Sequence, residues 1–191
     1  MRTEREGVSV KRYVALLRGI NVGGKNIISM KELKDLLEKN DYQDVATYIN
    51  SGNIIFSSDI SDTEFLKRHC EDLILKKFDL EVTLMIISSE DLIDALSNAP
   101  EWWDKDSESK HNAIFVIPPT TVEEVIMEVG QAKPEYEKIG SYGRVIFWSA
   151  PLKTFSRTRW SKITGKSVYN CVTIRNSNTA KKLAELCNNS K

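Results

Sequence analysis

The chain has 191 residues, 41% of them hydrophobic, with 27 basic and 27 acidic side chains. That length and apolar fraction can bury a core without disulfides or metals, and no apolar run approaches the roughly 18 residues of a membrane span. The three cysteines, Cys70, Cys171 and Cys187, form no C-x-x-C pair, so neither a zinc site nor a redox pair is spelled out.

Residues 1–10 alternate charged and small side chains without a hydrophobic signal segment, which reads as a disordered tail on a cytoplasmic protein. The neutral total hides a gradient. Nine Lys/Arg stand against one acid, Glu185, from Lys153 to Lys191, and six stand against two Glu in the first thirty residues. The middle is acidic. Such asymmetry marks an anion-binding face, or charges that interleave once the chain folds.

Arg12 to Arg18 is a strand-forming run ended by a Gly/Asn loop. Ser29 caps a helix with Glu32 as capping-box partner and Ile28 and Leu33 as a staple. Met30, Leu33, Leu36 and Leu37 form its buried stripe. Strands follow at 44–49 and 53–57 across the turn Asn50-Ser51-Gly52. A helix at 62–78 buries Leu66, Cys70, Leu73 and Phe78, and a strand at 81–87 completes β-α-β-β-α-β. Ser88 or Ser89 opens a linking helix through Leu96, and the acidic stretch Pro100 to Lys110 with Trp102 and Trp103 is the expected boundary.

The order then recurs. A strand at 113–117 leads to a helix capped by Thr121 with Glu124 as its box partner. A hairpin of 136–139 and 145–148 turns across Gly140-Ser141-Tyr142-Gly143. A short helix from Phe155 to Thr164, a strand at 172–175 and a terminal helix opened by Asn176 or Ser177 follow. The expected architecture is α+β: two tandem ferredoxin-like (βαββαβ) units with antiparallel sheets, a linking helix and a C-terminal helix. The expected division is tail 1–10, first unit 11–88, linker 89–110 and second unit 111–191.

This topology has a geometric consequence. The first two strands run parallel, so Arg18–Asn26 and Asn50–Asn53 emerge at one end of the first sheet. In the second unit the opposite end collects Arg157, Arg159, Arg175 and Asn176. The loop Gly19-Ile20-Asn21-Val22-Gly23-Gly24-Lys25-Asn26 nearly matches G-x-x-x-x-G-K-[ST], but Asn26 replaces the metal-holding hydroxyl and the helix starts too late for a P-loop. Glycine amides with Arg18 and Lys25 can still hold an anion. Equally, Gly19, Gly23 and Gly24 can serve only to supply left-handed backbone.

Both faces of the first and fourth strands are apolar, against an open base-stacking sheet. His69 and His111 lie in no nucleophile or ligand motif, and Glu101, Asp104, Asp106 and Glu108 lack Ca²⁺-loop spacing. Neither a metal nor a cofactor is therefore expected.

The run Tyr13 to Gly24, the turn Thr47-Tyr48-Ile49-Asn50-Ser51-Gly52-Asn53 and the segment Thr173-Ile174-Arg175-Asn176-Ser177-Asn178-Thr179 resemble motifs of the bacterial domain of unknown function 1697 family, whose usual Trp is Ser177 here. The resemblance implies a duplicated ferredoxin-like fold and no established activity.

The leading expectation is binding of a small phosphorylated or other anionic ligand. Arg18, Gly23, Gly24 and Lys25 would form the pocket, Asn21, Asn50, Ser51 and Asn53 would select by hydrogen bonding, and Arg157, Arg159, Arg175 and Asn176 would add to it. The alternatives are an enzyme using the same groups electrostatically, and a nucleic-acid module working through the basic C-terminal quarter.

Overall fold

The computed structural model describes residues 9–188, so the expected tail lies outside the described residues as far as residue 8. The protein is α+β, with two four-stranded antiparallel sheets. Residues 9–89 with 186–188 form one compact unit, and residues 90–185 form the other.

The first unit runs β1 (Lys11–Leu17), α1 (Met30–Glu38), β2 (Gln43–Tyr48), β3 (Asn53–Ser58), α2 (Thr63–Phe78) and β4 (Leu84–Ser88), with sheet order β2-β3-β1-β4. Ser29 Oγ accepts from the Glu32 amide at 3.3 Å, and Asp62 caps α2 by accepting from Glu64 and Phe65. The core joins Tyr13, Ala15 and Leu17 of β1 to Leu33 and Leu37 of α1 and to Leu66, Cys70 and Ile74 of α2. Ile74, rather than the expected Leu73, completes the inward stripe of α2, and Leu73 and Phe78 pack at its margin. Tyr42 meets Phe56 edge to face at 4.9 Å between ring centroids. Each fully buried aliphatic or aromatic side chain here contributes about 1.5–3 kcal/mol. Val14 and Leu16, on the other face of β1, are also buried.

The second unit begins with α3 (Ser89–Ser97) and continues through β5 (Ser109–Val116), α4 (Val122–Val129), β6 (Lys138–Tyr142), β7 (Val145–Pro151) and β8 (Val172–Asn176), with sheet order β6-β7-β5-β8. α5 (Ser177–Asn188) ends the described chain. Thr121 and Glu124 form both halves of the expected capping box on α4.

Two expectations need correction. The helix anticipated from Phe155 to Thr164 is instead a series of 3₁₀ turns, Leu152–Arg157, Trp160–Gly165 and Ser167–Cys171. Side chains take the backbone groups an α-helix needs. Thr158 Oγ1 donates to the Phe155 carbonyl at 2.7 Å and accepts from the Ser161 amide, while Ser161 Oγ donates to the Thr158 carbonyl. The Arg159 and Trp160 amides donate to Glu137 rather than along a helix.

The hairpin also turns later than expected. Gly140 and Ser141 lie inside β6, paired with Phe147 and Ile146, and the connection is Gly143-Arg144 with Gly143 at φ 53°. Gly140 is there for clearance, since a Cβ on it would stand 2.7 Å from Pro100 Cγ.

Candidate functional site

At the end of β1 the chain enters a small projecting hairpin rather than a phosphate cradle. The Asn21 amide donates to the Asn26 carbonyl and the Lys25 amide to the Val22 carbonyl, both at 3.1 Å, and Val22 and Lys25 form an isolated antiparallel bridge. The two residues between them, Gly23 (φ 60°) and Gly24 (φ 73°), carry the positive φ values that a type I′ turn demands. A Cβ added at either would meet nothing within 4 Å, so both face open space. The glycines meet the turn's requirement, and Lys25 is displayed, exposed, at the hairpin's base.

Asn21 ties this hairpin to the turn after β2. Its Nδ2 donates to the Asn50 carbonyl at 2.8 Å and to the Ile28 carbonyl at 3.0 Å, while its Oδ1 accepts from the Ile28 amide at 2.8 Å. Its φ of 54° is left-handed backbone, which Asn tolerates better than other side chains. Asn26 closes the loop a second time, donating from Nδ2 to the Gly19 carbonyl at 2.9 Å. The two Gly/Asn segments thus meet at one sheet edge, as the strand directions require.

The turn is equally fixed. Asn53, fully buried, donates from Nδ2 to the Tyr48 carbonyl and to Ser51 Oγ, each at 3.0 Å. The Leu17 amide donates to the Gly52 carbonyl at 2.8 Å. Gly52 is buried at φ 78°, and a Cβ there would lie 2.7 Å from Leu17 Cβ and 2.9 Å from Ile20 Cδ1. Only glycine satisfies both the angle and the approach. Arg18 is half-buried, with its amide donating to the Thr83 carbonyl, and Asn50 is exposed.

Three aliphatic side chains at this edge escaped the sequence reading. Val22 is 64% exposed, Ile27 75% and Ile49 51%. Each is the chain neighbour of a residue in the Asn21 network: Val22 of Asn21 itself, Ile27 of Ile28, and Ile49 of Asn50. Ile49 also sits at φ 49°, a left-handed conformation that costs a β-branched residue about 1–3 kcal/mol. No sequence pattern marks a branched residue as exposed, but Val-Gly-Gly-Lys does announce a two-residue hairpin turn.

In the second unit the basic residues singled out from sequence are largely engaged. Arg159 lies against Gly130, where a Cβ would stand 2.7 Å from its Nη1. The Arg157 guanidinium sits 5.8 Å from the Tyr136 ring centroid, and Lys133 Nζ donates to the Arg157 carbonyl. Arg175 is buried. Its Nη1 donates to Thr173 Oγ1 at 2.9 Å and to the Ile174 carbonyl at 3.0 Å, and burial pulls its pKa down to about 10, still protonated at neutral pH. Asn176 Oδ1 accepts from the Thr179 amide at 2.8 Å, capping α5. Lys181 and Lys182 pair with Asp104 and Glu185. Within this basic quarter Lys181 and Lys182 thus meet acids and Arg175 is buried, while Lys153, Arg157, Arg159, Lys162 and Lys166 are exposed.

The buried Glu137 carboxylate organises this region. It accepts four N–H groups: the amides of Lys133 (3.1 Å), Arg159 (2.8 Å) and Trp160 (3.1 Å), and the indole of Trp148 (3.2 Å). Separately, the acidic stretch read as a linker lines a cleft of about 760 Å³ with His111, Asn176 and Asn178. There His111 Nδ1 accepts from the Asp104 amide at 3.0 Å and lies 2.6 Å from Ser149 Oγ, so its Nε2–H donates to the Asp106 carbonyl at 2.7 Å. The Asp104 carboxyl is partly desolvated, yet hydrogen bonds from Lys181 and Ser177 hold its pKa below the usual value. Among the described residues no group of three or more His, Cys, Asp and Glu side chains is placed to hold a metal ion, and no helix is long and apolar enough to cross a membrane.

A family model described as "Protein of unknown function (DUF1697)" matches residues 10–147. The structure of the conserved bacterial protein SP0830 from Streptococcus pneumoniae is similar over 94% of this chain and 99% of its own, with a TM-score of 0.83 and 31% sequence identity. No curated protein matches the chain.

Proposed function

The chain belongs to the DUF1697 family of proteins of unknown function, and from that premise we propose that it is a binding module whose β1–α1 hairpin and β2–β3 turn together receive an anionic ligand. The observation that carries this is the Asn21 network, which makes one preformed edge of two segments separated by 29 positions. A preformed backbone lowers the ordering cost of binding. Arg18 and Lys25 supply the positive charge, and residues 18–30 and 46–57 contain no acidic side chain. The N-terminus of α1, at Met30, adds a favourable dipole. Each unit is read as a ferredoxin-like βαββαβ module, a reading supported by the sheet orders β2-β3-β1-β4 and β6-β7-β5-β8. In the second unit 3₁₀ turns stand where that module has its second helix.

Asn21 and Asn53 spend their carboxamides on the chain itself, so their role in this reading is to position Arg18 and Lys25. The test is calorimetric titration of wild type and the Arg18→Ala/Lys25→Ala double variant with inorganic pyrophosphate and with acidic peptides. The double variant should keep its fold and lose at least tenfold in affinity for whichever anion binds. Undiminished affinity would contradict the proposal.

A further inference from the structure

We propose that the anion recognised at this edge is carried by a protein: an acidic segment with aliphatic side chains, docked on Val22, Ile27 and Ile49 and held at the rim by Arg18 and Lys25. This rests on the anion-binding reading of the same edge and gives that anion a chemical class. A site built for a free phosphate has no use for exposed branched aliphatics, whose contact with water is unfavourable. Isolated exposed apolar residues are ordinary. Here three of the most exposed ones, at 64%, 75% and 51%, adjoin one asparagine through the residues it bonds. An apolar centre with a charged rim is the anatomy of a protein–protein contact.

Charge then selects the occupant. The edge carries Arg18 and Lys25 and no carboxylate in either of its segments. A second copy docking edge to edge would set like charges against each other, because a two-fold interface pairs the same patch with itself. A basic partner is opposed for the same reason. A nucleic acid would use the cations but not the aliphatics, and neither segment offers an exposed aromatic ring for base stacking: Tyr48 is half-buried and Phe56 buried. An acidic, aliphatic peptide satisfies both halves. The hairpin and the turn hold their shape through side-chain to main-chain bonds from Asn21, Asn26 and Asn53, so the partner meets a rigid surface.

The experiment is fluorescence anisotropy of the full chain against labelled twelve-residue peptides in which Glu or Asp alternates with Leu or Ile. Three controls run beside it: the same peptides with Leu/Ile replaced by Ser, the same with Glu/Asp replaced by Lys, and vesicles of anionic phospholipid. The proposal expects binding of the acidic-aliphatic set alone. That binding should weaken at least tenfold in Val22→Ser/Ile27→Ser and in Arg18→Ala/Lys25→Ala, with unchanged far-ultraviolet circular dichroism; Ile27→Asp serves as a second variant if the first pair misfolds. Equal binding of the Ser or Lys peptides, binding of vesicles with the same residue dependence, or dimerisation through this edge would overturn it. Pyrophosphate binding at Arg18 and Lys25 without peptide binding would overturn this inference and leave the anion site standing. Binding of neither would remove both.

Discussion

Replacing Asn21 with Ala should cost about 3 kcal/mol. Two of the three bonds lost are part-buried, those with the amide and carbonyl of Ile28, and the third, to the Asn50 carbonyl, is exposed. At about 1 kcal/mol for each part-buried bond and about half that for the exposed one, the hydrogen bonds account for roughly 2.5 kcal/mol. Alanine at φ 54° adds up to about 1 kcal/mol that asparagine largely avoids. Asn21→Gly separates the two contributions, since it deletes the same bonds without the left-handed penalty, and should be about 1 kcal/mol milder than Ala. Asn21→Asp keeps the acceptor for the Ile28 amide but sets a carboxylate against two carbonyls, and should be at least as harmful as Gly. Urea denaturation measures all three, and amide hydrogen exchange at Asn50 and Ser51 should accelerate in each. An Asn21→Ala protein within about 0.5 kcal/mol of wild type would refute the claim that this side chain holds the edge together.

Gly52→Ala should destabilise by about 3 kcal/mol, combining a left-handed backbone with a Cβ 2.7 Å from Leu17 Cβ, and denaturant midpoints will show it. Glu137→Gln turns one acceptor oxygen of a buried carboxylate into a donor facing N–H groups. A loss of about 3 kcal/mol or more is expected, with a changed near-ultraviolet signal from Trp148 and Trp160, and a silent substitution would discredit the role assigned to Glu137. Burial pushes the Cys70 thiol up to about 12 and raises that of Cys187, while Cys171 is part-exposed. Ellman's reagent on the native protein near pH 8 should therefore modify Cys171 fastest, with Cys70 reacting only after unfolding.

Much of the fold was legible because its signals are local. The continuous apolar run of β1, the Ser29, Asp62 and Thr121 helix starts and the glycine of the β2–β3 turn each follow from residues within one or two turns of chain. The meeting of the two Gly/Asn segments was legible too, because strand direction forces it. What was lost depended on partners distant in sequence. Nothing near Phe155 reveals that Glu137 will claim the Arg159 and Trp160 amides and stop a helix there. Nothing near Gly140 reveals that Pro100 will pack on it, so a strand glycine read as a turn. The hairpin at Gly23-Gly24 was obscured by its likeness to a phosphate loop, although Val22 and Lys25 flank it as strand ends do. Asn21 and Asn53 looked like ligand selectors because an asparagine side chain gives no sign of whether it will bond backbone or solute.

The most direct test of the central claim is a residue-resolved map of where an anion lands. An amide chemical-shift titration of the isotope-labelled chain, with an acidic-aliphatic peptide and in parallel with pyrophosphate, reads every loop at once. The account predicts that shifts concentrate in residues 18–28 and 49–53 and vanish in Arg18→Ala/Lys25→Ala. Shifts confined to the cleft of Asp104, His111, Asn176 and Asn178, with the hairpin and turn unmoved, would contradict it.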